Sequence, residues 1–160
     1  MNYEKKYAEM ESLVAIIKES LKKDKEVKLT ITGNSMFPLL AHRRDSVVLK
    51  KPEELKKYDI PLYRRENGRY ILHRIIKIEN GCFHTAGDNE TELEYPVNKE
   101  QAVAVVSGFY RKGKYYSNKN VLYKLYTVIW CGMLPYRHKI LPVLIGFRQA
   151  AGGRRAKKQK

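Results

Sequence analysis

Apolar residues recur at three- and four-residue steps near the start of the chain: Tyr3, Tyr7, Met10, Leu13, Val14, Ile17 and Leu21. That spacing lines one face of a helix and predicts an amphipathic helix over 2–23. A polar break at 22–25 ends it. The period then changes to two. Val27–Ile31 alternates and stops at Gly33-Asn34, and Ser46–Leu49 is a second short strand. Ile60–Arg64, Arg69–Glu79 and Cys82–Ala86 read as a meander, and Ala102–Tyr110 closes the block. Asn67-Gly68 and Asn80-Gly81 each separate two strand-like runs. Asn-Gly supplies the two positive φ angles of a type I′ turn, so both predict tight hairpins. The pattern predicts a mainly β body, a small antiparallel sheet assembly carrying one N-terminal helix.

The pattern changes again after Tyr110. Residues 111–120 are polar and read as a linker. Residues 121–147 are apolar and aromatic: Leu125–Tyr136 carries no charge, Arg137-His138-Lys139 interrupts, and Ile140–Phe147 is apolar again. Charges at that midpoint make a single membrane span costly. Two short apolar helices are expected instead. Either they pack on the β body with a basic face in solvent, or they lie in a membrane interface. The Gly/Lys/Arg-rich residues 151–160 read as a disordered basic tail. The expected organisation is a helix over 1–26, a β domain over 27–110, a basic, aromatic helical segment over 111–150, and the tail.

Charge sharpens this division. The 160 residues carry a formal net charge of +15. All 17 acids lie at or before Glu100, so residues 101–160 hold 13 basic side chains and no acid. The body is nearly balanced, and the cationic end points to an anionic partner. Nine of the 17 aromatic residues also lie in this end. Tyrosine, tryptophan and lysine together favour an anionic membrane surface through 121–160. Long apolar runs fit nucleic acid less well. Glu4, Lys5, Lys6, Glu9 and Glu11 occupy the place where a signal peptide would be apolar. The expected location is cytoplasmic, or peripheral at the cytoplasmic membrane face. Cys82 and Cys131 suggest neither a disulfide framework nor zinc.

Three short features can carry chemistry. Gly33-Asn34-Ser35-Met36-Phe37-Pro38 follows a strand. It is either an ordinary polar turn or one that presents the Ser35 hydroxyl beside backbone N–H groups, as a nucleophile and oxyanion site require. His73 shares a strand face with Ile71 and Ile75, while Arg74 points the other way. It is either a satisfied core histidine or a general base. Gly87-Asp88-Asn89 is turn chemistry, unless Asp88 is the carboxylate that orients His73. His84 is the competing site histidine. A metal site from His73, His84 and Asp88 matches no ligand template, and no metal or cofactor is expected.

In this order, Ser35-Met36-x-Pro38, the strand bearing His73-Arg74-Ile75, and Gly87-Asp88-Asn89 resemble the catalytic boxes of the signal peptidase I and LexA-like serine peptidases. Histidine in the second box resembles their endoplasmic-reticulum-type subgroup. Asp45-Ser46-Val47-Val48, Asp59-Ile60 and the stretch from Pro96 to Val106 fit the intervening and closing segments, so the similarity covers roughly 28–108. The resemblance implies a coiled β-fold and a serine endopeptidase acting on a peptide or protein, such as a leader or signal peptide. It implies Ser35 as nucleophile, His73 as base, Asp88 as third member and the Ser35 N–H as oxyanion donor. It also implies that Met36 and Pro38 shape the turn and line the cleft. The chain departs from the family pattern at Arg44 and Tyr58, where glycine is expected, and at Gly33, where a hydroxyl is common. After Asn89, where another aspartate would follow, it reads Glu90-Thr91-Glu92-Leu93-Glu94. A self-cleaving or non-catalytic, membrane-surface-binding module on the same fold is the alternative, with Ala150-Ala151-Gly152 as the small-residue stretch self-cleavage would need.

Overall fold

Helix α1 (Tyr3–Lys22) buries Val14, Ile17 and Leu21, one side of the predicted stripe, while Leu13 lies at its solvent edge. The computed structural model describes residues 3–94 and 96–157. After α1 come β1 (Val27–Thr30), β2 (Ser46–Lys50), β3 (Pro61–Arg64), β4 (Tyr70–Leu72), β5 (Arg74–Glu79), β6 (Cys82–Ala86), β7 (Val97–Asn98), β8 (Ala102–Arg111) and β9 (Lys114–Ser117). The chain ends in α2 (Val121–Gly132), a 3₁₀ turn at Leu134–Tyr136, and α3 (Arg137–Lys157). The molecule is mainly β, with two curled antiparallel sheets and three helices.

The larger sheet runs β1-β2-β8-β3-β4, with β9 also paired to β8. The smaller runs β5-β6-β7. Long β8 binds β2 on one side and β3 on the other, with a register shift in each ladder. Such bulges bend a strand and tighten its twist, which lets a small sheet curl over its own core. That core gathers Leu40, Val47, Leu49, Ile60 and Val106 with Ile17 and Leu21 of α1. A second cluster, Tyr63, Ile75, Phe83 and Val97, fills the space under the smaller sheet.

Three sequence expectations need correction here. The run 69–79 is not one strand. Tyr70–Leu72 pairs with β3 in the larger sheet and Arg74–Glu79 pairs with β6 in the smaller, so the chain changes sheet at His73. Residues 111–120 are not a linker either. Lys112 and Gly113 have φ of 51° and 82° and turn β8 back into β9. Those paired positive angles are what a type I′ hairpin needs. Asn80 and Gly81 also both take positive φ, as expected. At the other Asn-Gly only Gly68 does, with φ of 81°, inside a wider turn closed by Arg65 N–H to Arg69 O at 2.8 Å.

The C-terminal helices settle part of the choice left open by sequence. Tyr123 and Tyr126 pack against the main core, and Thr127, Trp130 and Cys131 are buried. The inner side of α2 is therefore core. Helix α3 continues to Lys157, through most of the stretch read as a disordered tail; residues 158–160 lie outside the described residues. Among the described residues no helix is long and apolar enough to cross a membrane.

Candidate active site

Ser35 opens the turn that leaves β1 and returns to β2. Its side is anchored by packing: Met36, Leu39, Leu40 and Ala41 are all buried immediately after it. Leu40 N–H donates to Met36 O at 2.8 Å and Phe37 N–H to Asn34 O at 3.0 Å, which coil the turn. Met36 joins the main core, and Pro38, joined to Phe37 by a cis peptide bond, is half-buried at the exit. Asp45 holds the far end. Its carboxylate accepts N–H groups from Ala41 at 2.8 Å and Lys112 at 3.1 Å, together with two bonds from Arg44. Arg44, which departs from the resembled pattern, is thereby a partner of Asp45. Among the described residues the Ser35 hydroxyl has no hydrogen-bond partner, and its backbone N–H donates to no backbone carbonyl.

The turn is tied to the loop after β6. Asn89 N–H donates to Ser35 O at 2.7 Å. Gly87 packs closest. A Cβ there would stand 2.5 Å from Ser35 O and 3.1 Å from His73 Nε2. Real side chains do not tolerate the first distance, so the glycine is required for approach. The Ser35 carbonyl and the Nε2 edge of His73 therefore both border Gly87, and among the described residues no hydrogen bond joins the Ser35 hydroxyl to Nε2.

His73 is 2% exposed. Its other nitrogen, Nδ1, pairs with the Glu94 carboxylate and lies 3.5 Å from Glu90 Oε2. Glu94 is held on its second oxygen by Tyr63 Oη at 2.9 Å and Arg65 Nε at 2.9 Å. Burial works against its charge, but hydrogen bonds from His73 and Arg65 outweigh it and hold its pKa down to about 2. An ionised carboxylate only accepts. Nδ1 therefore donates to Glu94, and Nε2 is the ring nitrogen left on the side of Gly87.

Asp88 does not take the part expected of it. It is fully buried, and both its oxygens are bound by Arg74, from Nε at 2.9 Å and Nη2 at 2.8 Å. Arg74 also reaches Tyr58 O at 3.2 Å and Tyr123 Oη at 2.9 Å. At the change of sheet His73 and Arg74 each end on their own acid. The acid of His73 is Glu94. The signal available in sequence was the departure after Asn89, where Glu90 and Glu94 stand in place of a further aspartate. His84 is not in the site; it lies 3.5 Å from Glu79 on the exposed hairpin.

The Gly87–Glu90 loop is supported from behind by the C-terminal helices. Trp130 Nε1 donates to Asp88 O at 3.1 Å. Arg137 Nη1 donates to Gly87 O at 2.9 Å and Glu90 O at 3.1 Å, and Nη2 to Trp130 O at 3.1 Å. Arg137, read in sequence as part of a charged interruption, is completely buried. A groove of about 950 Å³ begins at Glu94 and is lined by Arg65, Leu93, Pro96 and Gln101 among others. Ligand atoms of His73, Glu90 and Glu94 lie within 4.8 Å of one another, close enough to share a divalent cation. Glu94 is already engaged by Arg65, Tyr63 and the Nδ1–H, however, and a cation would displace the last of these. Comparison with protein-family models and with curated proteins gives no match for this chain.

Proposed function

We propose that the protein is a serine endopeptidase in which Ser35 is the nucleophile, His73 the general base and Glu94 the acid that orients it. The observation that carries the reading is His73 itself. Its Nδ1 is held by an ionised carboxylate, while its Nε2 borders Gly87, the residue that also packs on the Ser35 backbone carbonyl. A histidine oriented in this way takes a hydroxyl proton once the serine side chain turns toward it. Ser35 Oγ adds to the peptide carbonyl as Nε2 takes its proton. Glu94 stabilises the imidazolium, and the Ser35 N–H receives the oxyanion. Collapse breaks the C–N bond, with the proton passing from Nε2 to the leaving amine. Water then adds to the acyl-serine by the same base and restores the enzyme. The resemblance to signal-peptidase-like enzymes adds the expectation of leader-like peptide substrates. Self-cleavage at Ala150-Ala151-Gly152 is disfavoured, because that stretch lies within α3 and a scissile bond must be presented extended.

The test is digestion of a mixed peptide library read by mass spectrometry. The wild-type chain should cut, and chelator should leave the rate unchanged. Ser35→Ala should reduce cutting by roughly 10⁴-fold or more. Equal cutting by the Ala variant would remove the serine mechanism. Loss of cutting in chelator, restored by a divalent cation, would reassign the site to His73, Glu90 and Glu94 as ligands.

A further inference from the structure

The side of α2 away from the body is apolar and uncovered. Val121, Leu122, Leu125, Val128 and Ile129 are each between 51% and 77% exposed. They fall at helical spacing on one stripe, opposite the buried Thr127, Trp130 and Cys131. Lys124 is the only charged residue within α2. Tyr136, 62% exposed, follows at the end of the helix, with exposed His138 and Lys139 beyond it. Scattered apolar residues on a surface mean little, but a continuous stripe of this kind marks a contact.

We propose that the outer face of α2 docks on an anionic lipid bilayer, lying in the plane of the interface. Charge selects the occupant. Residues 101–160 carry 13 basic side chains and no acid. Exposed Lys119, Lys124 and Lys139 border the stripe, and a second copy using the same face would set those cations against their own kind. Nucleic acid would match the charge, but Val, Leu and Ile offer no ring on which a base can stack. An anionic bilayer meets both demands: its acyl boundary takes the stripe, and its headgroups take the flanking cations. Tyr136 has the amphipathic ring favoured at headgroup depth. The 12-residue helix is about 18 Å long at ~1.5 Å per residue, against a hydrocarbon core of about 30 Å, so it lies on the membrane and does not span it. The inner face of the same helix grips the loop beside Ser35, so lipid contact on one side sets the site close to the bilayer. The docking surface stands whether or not that site is catalytic.

The test is co-sedimentation with vesicles of phosphatidylcholine alone and of phosphatidylcholine mixed with phosphatidylglycerol. The full chain should bind the mixed vesicles at least about tenfold more strongly, and added salt should weaken that binding. Leu125→Glu with Ile129→Glu should reduce it by about tenfold or more. Both positions are over half exposed, so the fold is not at risk, and circular dichroism checks this. Ile78→Glu, the same change at a 44%-exposed position on β5, should bind as wild type. The proposal falls if the chain stays with the supernatant, if the double variant binds equally, or if neutral vesicles bind as well. It also falls if the double variant abolishes self-association that vesicles do not compete, which would give the face to a second copy.

Discussion

Two acids within seven residues have different work, and single substitutions separate them. Asp88 is buried against Arg74, and Glu94 is joined to His73, Arg65 and Tyr63. Asp88→Asn leaves the Arg74 guanidinium buried with one charge unmatched, and should cost about 3–5 kcal/mol of stability in chemical denaturation. The fraction that remains folded should still cut peptide. Glu94→Gln should do the reverse. With an amide beside Nδ1 the ring loses its fixed tautomer, and turnover should fall on the order of 10³-fold or more while the fold survives. Acid adds an independent readout. The Glu94 pKa is lowered in the folded chain from 4.5 to about 2. Its contribution to stability is therefore present above pH 4.5 and is lost as the pH falls toward about 2. Glu94→Gln should flatten the stability profile across that window. If instead Asp88→Asn abolishes turnover without unfolding the chain, the orienting acid has been misassigned.

Elements rather than residues explain what the sequence could and could not disclose. The helix of 3–22, the short strands and the Asn80-Gly81 hairpin were legible because local periodicity and turn chemistry determine them. The serine turn and His73 stand out in the sequence as short motifs. Lys112-Gly113 is not legible, because lysine rarely occupies a left-handed position, and locally the hairpin reads as a linker. The exchange of sheets at His73 is not, because Tyr70–Glu79 reads locally as one continuous strand. Arg137 shows the limit best. An arginine between two apolar runs looks like a solvated break, and only tertiary packing turns it into a buried donor to Gly87 and Glu90. Arg137→Met keeps the volume but leaves three carbonyls without that donor. We expect a loss of about 2–4 kcal/mol and, in the folded fraction, lower turnover as the loop against His73 Nε2 shifts. Unchanged stability and unchanged turnover, measured by denaturation and peptide cleavage, would make the helices mere appendages.

At the scale of the whole molecule the question is whether the basic, aromatic end is a separate unit or part of the fold. Its composition suggests a separate unit, since every acid lies in the first 100 residues. Its contacts argue otherwise. Tyr123 and Tyr126 join the main core, Arg74 of β5 donates to Tyr123 Oη, and Phe109 of β8 meets the Tyr123 ring at 5.2 Å. Trp130 is 7% exposed and bonded to the loop between β6 and β7. It is also the single tryptophan of the chain, so its fluorescence reports the contact of α2 with the body. A small domain that unfolds in one step shows the same transition by every probe. Urea unfolding followed by Trp130 emission and by far-ultraviolet circular dichroism should therefore give one midpoint. An appendage would release Trp130 first, well before the sheet signal is lost. A coincident transition means that α2 does not leave the body before the sheet unfolds, so the helix bearing the exposed stripe and the Gly87 loop beneath it belong to one cooperative unit.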